Sequence, residues 1–485
     1  MKKYLLPLLF LAVAFSSCKK DKKDDDLREI AYDFAKDVYL WNDALPSKEA
    51  FNPTRFSGGS DLANLQAEID AFSQIKINST TGKPYEYDPN YIGTAKYSYI
   101  DNGQAAAAVG GVGGDFGFGL SLISQSPVDI RVRYVYPNSS AATQGLARGY
   151  KVTAVNDVVV TASGIAAINQ ALGANSIKLS GTRNDGTTFT ATVTRGSYTV
   201  NPVIKATTIT SATGKKVGYF AFSRFTVISN AQAKIDEAFS KFASDNIEEL
   251  VVDLRYNGGG AVETSEYLAN YMVPAAKNNT LMFTETYNAN MQAGNHPYLS
   301  SKYDVKAGEF KKENNSYNFS KKGNLELKRV IFLVTDNTAS ASELLINNLK
   351  PVLPQGVKLI GQTTYGKPVG FFGLDVGDYD MYLAEFESRN AEGKADFYQG
   401  MIPGGNFEGA LVDDDVTHDF GDRNETMLKV ALNYIDKGNY TVVGFRTQSI
   451  NGADKAALDR ANQKLDVNPE FKGAIHTRNI KQLNH

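Results

Sequence analysis

Three apolar runs in this chain of 485 residues end in side chains that could do chemistry. Val251–Gly260 reads VVDLRYNGGG, a run that stops in three glycines before a helical pattern begins. A glycine run at a helix start leaves backbone N–H groups free where negative charge is favoured, which suits an oxyanion as well as a phosphate. Val330–Val334 leads into Thr335-Asp336-Asn337-Thr338-Ala339-Ser340-Ala341-Ser342-Glu343. Ser340 to Glu343 has the Ser-x-x-Glu spacing of a helix capping box, so Ser340 could serve there as a cap alone. The third run, Val357–Ile360, ends in Gly361-Gln362-Thr363-Thr364-Tyr365-Gly366-Lys367. A lysine acts as a base only if burial lowers its pKa from about 10.4 toward roughly 7–8. Tyr365, Gly366, Phe371 and Phe372 are the neighbours that would exclude water.

Strand ends belonging to one sheet can meet at one edge, where α/β folds bind ligands. From Val203 to about Tyr440 the pattern alternates strands with helices: a strand at Val217–Phe222, a helix at Ala231–Ala243, a strand at Leu250–Leu254, then the apolar Val330–Val334. That alternation predicts an α/β layer around a buried sheet. Upstream, Leu27 to Ser73 has helical spacing, with Ile30, Phe34 and Val38 at fours and Leu62, Leu65, Ile69 and Phe72 at threes and fours. Residues 74–111 read as a strand-poor connection. Short strands at 117–123, 130–135, 151–155, 177–183 and 188–195 follow, with turn signals such as Asn184-Asp185-Gly186. Beyond Thr441 the tail is polar and uninformative.

Composition narrows the function. Apolar residues are 42% and charged residues 21%, an ordinary folded composition. The net charge of -2 excludes a globally basic nucleic-acid binder. One cysteine allows no internal disulfide, and His296, His418, His476 and His485 are scattered, so no Cys/His zinc cluster fits. Asp413–Asp415 reads as a solvated turn rather than a cation site. No metal or cofactor is expected.

The first eighteen residues are a basic pair, an apolar run from Tyr4 to Phe15 and Ser16-Ser17-Cys18. Twelve apolar residues are too few to span a bilayer, which needs about twenty. The pattern resembles a bacterial lipobox with Cys18 as the lipidated residue, and the charged stretch Lys19–Asp26 resembles the export signal of some Bacteroidetes-type surface lipoproteins. This implies a cell-envelope protein anchored in the outer membrane.

Residues 115–198 resemble a PDZ domain of the bacterial-protease kind. Phe116-Gly117-Phe118-Gly119-Leu120 matches its carboxylate-binding loop, and GLARGYKVTAVNDVVV (145–160) matches its Gly-Leu-x-x-Gly-Asp segment, with Tyr150 for the Asp. Such a loop and an exposed strand edge capture chain ends.

The three junctions together resemble the carboxy-terminal processing peptidases, or tail-specific proteases, over about residues 115–435. TASASELL (338–345) matches the nucleophile segment and implies Ser340 as nucleophile; GQTTYGKP (361–368) implies Lys367 as general base; DLRYNGGG (253–260) implies an oxyanion hole from the N–H groups of Gly258, Gly259 and Ala341. Ile402-Pro403, Asp413-Asp414 and Gly421-Asp422 resemble the end of the family pattern. Two polar positions of that pattern are filled here by Phe371, four residues after the lysine, and Pro351, eleven after the serine, so no residue is assigned to orient Lys367. Pro368 stands where the pattern has Gly.

The expected organisation is multidomain α/β: a leader over 1–18, a tether over 19–26, a helical region over 27–111, a PDZ-like β module over 112–200, a crotonase/ClpP-like α/β peptidase core over 201–440 and a tail over 441–485. The expected function is a serine endopeptidase that recognises polypeptide C-termini. The alternative is a catalytically degenerate envelope protein that binds peptides without cutting them. Substrate, cleavage preference and oligomeric state are not legible in the sequence.

Overall fold

In the computed structural model, which describes residues 26–125, 127–441 and 473–475, six strands form the central sheet. The chain enters through helices α1 (Leu27–Val38) and α2 (Asp61–Ser73). Asp26 caps α1 by accepting from the Arg28 N–H, and Ser60 caps α2 by accepting from Ala63. Their apolar faces, including Phe34, Val38, Leu65 and Phe72, bury against Leu374, Val376, Met381 and Phe386 from far downstream. The N-terminal region is thus packed onto the body of the molecule.

Next comes a five-strand antiparallel path, β1 (Phe118–Gln125), β2 (Val128–Val135), β3 (Lys151–Val155), β4 (Ser176–Thr182) and β5 (Thr188–Thr194), with helix α3 (Ile165–Leu172) between β3 and β4. The strand order is β5-β4-β3-β2-β1, so β1 is an edge. Strict alternation in β5, with Phe189, Ala191 and Val193 buried and threonines between them exposed, gives this unit its own core with Phe116, Leu120, Val132 and Ile168. Helix α3 has no counterpart in the sequence reading.

The central sheet runs β6 (Val203–Thr210), β7 (Lys216–Phe222), β8 (Glu249–Asp253), β9 (Arg329–Val334), β10 (Val357–Gly361), β11 (Gly409–Leu411) in that order, antiparallel only between β6 and β7. Alternate residues divide between two cores. Phe220, Phe222, Leu250, Val252, Val330, Phe332 and Leu359 face helices α4 (Ile228–Ser244), α5 (Val262–Met272) and α6 (Ala341–Leu349). Tyr219, Val251, Ile331, Leu333 and Ile360 face α7 (Thr426–Lys437). Burial on both sides explains why these strands read as continuous apolar runs. The parallel register brings the ends of β8, β9 and β10 to one edge.

The short piece Gly473–Ile475 pairs in parallel with Gly259–Ala261, and Ile475 bridges to Phe371. The tail therefore returns to the glycine junction, which its polar composition gave no sign of. Cys18, the leader and most of the tether lie outside the described residues. Among the described residues no helix is long and apolar enough to cross a membrane.

Candidate active site

Ser340 lies between β9 and α6, and its backbone is unusual. Its φ is 59° and ψ is -108°. The other non-glycine residues with positive φ, among the described residues, are all Asn or Asp. A serine held in this region costs about 1–3 kcal/mol and persists only where its surroundings impose it. Its carbonyl accepts from Leu344 N–H at 2.7 Å, as an N-cap carbonyl does. Its hydroxyl does not cap: Ser340 Oγ is buried and, among the described residues, has no hydrogen-bond partner. The hydrogen bond of the Ser-x-x-Glu box is made by Glu343, which accepts from the Ser340 N–H at 2.8 Å.

Glu343 joins two of the three junctions. Its Oε2 accepts from the N–H groups of Ser340 and Lys367, each at 2.8 Å. Its Oε1 accepts from Gly366 N–H at 2.7 Å and Thr364 Oγ1 at 2.5 Å. Residues 340 and 367 therefore share a single acceptor atom, so their backbones cannot separate by more than two hydrogen bonds end to end. Burial raises the Glu343 pKa, while Thr364 and the backbone N–H groups of Lys367, Ser340 and Gly366 pull it down. Backbone donors cannot reverse, so both carboxyl oxygens are fixed as acceptors.

Lys367 is 2% exposed. Burial holds its pKa well below the usual lysine value, against the pull of the Glu86 and Glu343 carboxylates and with a smaller contribution from Lys96. Its Nζ lies 3.5 Å from the Tyr97 carbonyl oxygen and 3.8 Å from the centroid of the Phe371 ring. The aromatic ring thus occupies the place where the resemblance calls for a polar side chain. Gly366 must be glycine: its φ is +84°, and a Cβ would lie 2.5 Å from Gly400 N.

The glycine junction is tied to the serine junction through Asn257. Its carbonyl accepts from Ala339 N–H at 3.1 Å and Ser342 Oγ at 3.0 Å. Thr338 Oγ1 donates to Leu254 O, and Tyr365 N–H to Thr338 O. The three strand ends therefore converge. Of the predicted oxyanion donors, Gly259 N–H is already engaged by Asn257 Oδ1 at 2.9 Å. Ala341 is the first residue of α6, where an N–H has no acceptor within the helix. Gly258 N–H has no acceptor among the described residues.

The predicted peptide loop is more enclosed than the sequence suggests. Phe116, Phe118 and Leu120 are core side chains of the β module. Gly117 N–H is taken by Asp115 Oδ1 at 2.5 Å, and a Cβ on Gly117 would lie 1.9 Å from Ser139 Cβ. Gly119 is buried too, in the edge strand β1, with Tyr134 and Arg133 packed against it. The His418 ring pairs with Asp415. Asp414 is not in a solvated turn: it accepts from Arg255 Nη1 at 2.7 Å and Arg148 Nη2 at 3.3 Å, and those guanidiniums hold its pKa down. The acidic run therefore meets cations, but they are arginines. Among the described residues, no group of three or more His, Cys, Asp or Glu side chains could hold a metal.

Residues 86–98, which carry no motif in the sequence, also meet the lysine loop, through Tyr97 Oη to Gly366 O and Lys367 Nζ to the Tyr97 carbonyl. The strand ends of one α/β sheet thus hold a strained serine, a buried lysine and a glycine turn. Residues 216–391, which contain all three junctions, match the model of peptidase family S41. A carboxyl-terminal-processing protease of Synechocystis is 26% identical over 176 residues, 36% of this chain and 34% of that one. A "Probable CtpA-like serine protease" of Staphylococcus saprophyticus is 25% identical over 345 residues, 67% of this chain and 63% of that one. The chain thus spans about a third of the length of the first relative and under two thirds of the second. A "Putative S41 protease" from Bacteroides fragilis has the same fold at 22% identity, with a TM-score of 0.59 over 89% of this chain and 99% of that one. It is the segment 216–391, holding the serine, lysine and glycine junctions, that is similar to peptidase family S41.

Proposed function

We propose that the protein is a serine endopeptidase acting on polypeptides through a Ser340–Lys367 pair. The observation that carries this reading is the shared Glu343 oxygen, which holds the backbones of both residues together at the ends of adjacent strands. In the reaction, Ser340 Oγ attacks the scissile carbonyl as neutral Lys367 takes its proton. The developing oxyanion is received by the N–H groups of Gly258 and Ala341, with Gly259 joining if its bond to Asn257 is released; such donors contribute about 3 kcal/mol each. Lys367 then protonates the leaving amine, and water clears the acyl-enzyme.

We read residues 201–440 as a crotonase/ClpP-like core and residues 112–200 as a PDZ-like module that captures substrate C-termini. Edge strand β1 supports this, because it can pair with an extended peptide. Titration with a free-carboxylate peptide and its amide tests it: equal affinities exclude carboxylate capture. We also propose lipidation at Cys18 and residence in the cell envelope. Loss of palmitate labelling in Cys18→Ser supports the anchor, and an unlabelled, soluble wild type rejects it.

The test of the catalytic reading is labelling by a fluorophosphonate or peptide aldehyde, mapped to the modified residue, beside hydrolysis of an unstructured polypeptide. Modification of Ser340 and turnover that vanishes in Ser340→Ala support it. The binding-protein alternative draws on two observations: Phe371 stands where a third polar residue would orient Lys367, and Ser340 Oγ makes no hydrogen bond among the described residues. Hydrogen bonds of this kind commonly tighten only around substrate. Equal inertness of wild type and Ser340→Ala would favour that alternative.

A further inference from the structure

The position that should carry a polar partner for Lys367 holds Phe371, yet the lysine is not left to hydrocarbon alone. Its ammonium lies against the Tyr97 carbonyl, at 3.5 Å. That carbonyl belongs to Lys96–Ser98, and the segment is fastened by Glu86. Glu86 is 0% exposed, and burial raises its pKa against the pull of its hydrogen bonds from Ser98, Tyr97 and Tyr39. Its Oε2 accepts from Tyr97 N–H at 2.8 Å and Ser98 N–H at 2.7 Å. Its Oε1 accepts from Ser98 Oγ at 2.7 Å and Tyr39 Oη at 2.8 Å. Two successive backbone N–H groups and two hydroxyls thus converge on one buried carboxylate.

The same segment grips the lysine loop from outside. Tyr97 Oη donates to Gly366 O at 2.6 Å, and Lys96 Nζ donates to the same oxygen at 3.3 Å and to Tyr398 O at 3.0 Å. Tyr365 Oη donates to Lys96 O at 2.7 Å. The loop carrying Lys367 is held on its N–H side by Glu343 and on its carbonyl side by residues 96–97. Among the groups that act on Lys367 are Glu86, Glu343, Lys96, the Tyr97 carbonyl and the Phe371 ring.

We propose that Glu86 is the positioning residue for the general base: its carboxylate clamps Tyr97 and Ser98 so that the Tyr97 carbonyl meets Lys367 Nζ, and it supplies the buried negative charge that the Phe371 position lacks. The N-terminal region, which lies outside the segment matched to the family, would then complete the active site. This rests on the peptidase reading for its catalytic meaning, but its geometry can be tested without turnover.

The experiment is an NMR titration of the chain labelled with 13Cε-lysine, the Lys367 signal being the one lost in Lys367→Arg. Removing the Glu86 charge makes the ammonium less favourable. In Glu86→Gln the Lys367 midpoint should therefore fall by roughly one pH unit, and the acid limb of kcat/KM should move to lower pH with it. Circular dichroism verifies that the variant is folded. A folded Glu86→Gln with an unmoved Lys367 midpoint overturns the proposal. If Glu86→Gln does not fold, Ser98→Ala carries the test. It keeps the charge and removes one donor, so kcat should drop several-fold with KM and the midpoint unchanged; an unchanged kcat overturns the clamp. A protein whose Lys367 midpoint responds as expected but which cleaves nothing would reject the peptidase reading while leaving the clamp standing.

Discussion

The two sides of the Lys367 loop are built in opposite ways. On one side, Ser340, Gly258 and the lysine itself sit at the ends of parallel strands, each entering a turn or helix from a buried apolar run. On the other, Tyr97 and its neighbours lie in a stretch with few regular elements, between two short strand pairings, fixed by side-chain bonds to Glu86. The sheet side gets its precision from register, which many residues share. The connecting side gets it from one carboxylate and its four donors. A reaction centre can therefore be rigid on both sides while only one carries a periodic signal, and the two sides should respond differently to single substitutions.

The largest effect expected is loss of turnover on the sheet side. Ser340→Ala, Lys367→Ala and the double variant should each fall by roughly 10^4-fold or more, with the double no worse than either single, because a nucleophile and its base act as a unit. Lys367→Arg should be equally inactive, since a guanidinium does not release its proton near neutral pH. Single and double losses that multiply in steady-state assays would break the pairing.

Glu343 is where the strand ends are joined, so its removal should damage both folding and rate. Glu343→Ala leaves three buried N–H groups and the Thr364 hydroxyl without their acceptor. Urea denaturation should show a loss of about 3 kcal/mol or more, with turnover down roughly a hundredfold. Glu343→Gln, which keeps one acceptor oxygen, should fall between. A stability change under about 1 kcal/mol would mean that the junctions are held elsewhere.

How this site divides between readable and unreadable parts follows from the same contrast. Val251–Leu254, Val330–Val334 and Val357–Ile360 announce themselves because strands buried on both faces must be apolar throughout. Their ends carry Ser340, Gly258 and Lys367, so those residues are legible. Glu343 is legible as a capping-box partner, and the structure gives it a larger part. Glu86 is not legible: it stands among tyrosines, with no periodicity to show that Tyr39, forty-seven positions away, will reach it. The pairing of Asp414 is invisible for the same reason, because Arg148 and Arg255 come from distant segments. Helix α3 is short, and its Ile-Ala-Ala-Ile-Asn-Gln-Ala-Leu run shows only two fully buried positions, Ile168 and Leu172.

The buried lysine should cost stability, and the sign can be read from pH. The folded-state pKa of Lys367 lies well below 10.5, so between that lowered value and 10.5 the unfolded chain holds a proton that the folded protein does not. Unfolding free energy from this group therefore rises with pH through that window and is lowest below it. Lys367→Met removes the effect. It should be inactive yet more stable at neutral pH by about 1 kcal/mol or more, with a flatter stability curve up to pH 10, as urea midpoints across pH would show. A less stable Lys367→Met would mean that the polar contacts of Nζ outweigh its desolvation.

Strain at Ser340 predicts a smaller difference. Alanine keeps the disfavoured φ of 59°, whereas glycine adopts it freely. Ser340→Gly and Ser340→Ala should both be inactive, and the glycine variant should melt higher, corresponding to about 1 kcal/mol. Equal melting temperatures would show that the turn relaxes without the hydroxyl.

Ser342 gives the smallest effect and fixes the register of the whole reading. It lies two residues beyond Ser340 in the same Ser-Ala-Ser run, and it is the more deeply buried of the two, at 0% against 2% exposure. The hydroxyls differ in what they do. Ser342 Oγ donates to Asn257 O at 3.0 Å, a bond that ties α6 to the glycine junction, while Ser340 Oγ has no partner among the described residues. A hydroxyl committed to a carbonyl is a structural tie, and one left open at a strained turn is placed for attack. Ser342→Ala removes one buried bond, but Asn257 O keeps the Ala339 N–H as donor at 3.1 Å, so no acceptor is orphaned. The cost should be about 1 kcal/mol in urea denaturation, with turnover within a few-fold of wild type and fluorophosphonate labelling intact. Labelling that survives Ser340→Ala and disappears in Ser342→Ala would move the nucleophile by two residues, and the shared Glu343 oxygen would then be holding the cap of a helix rather than the backbone of a catalytic serine.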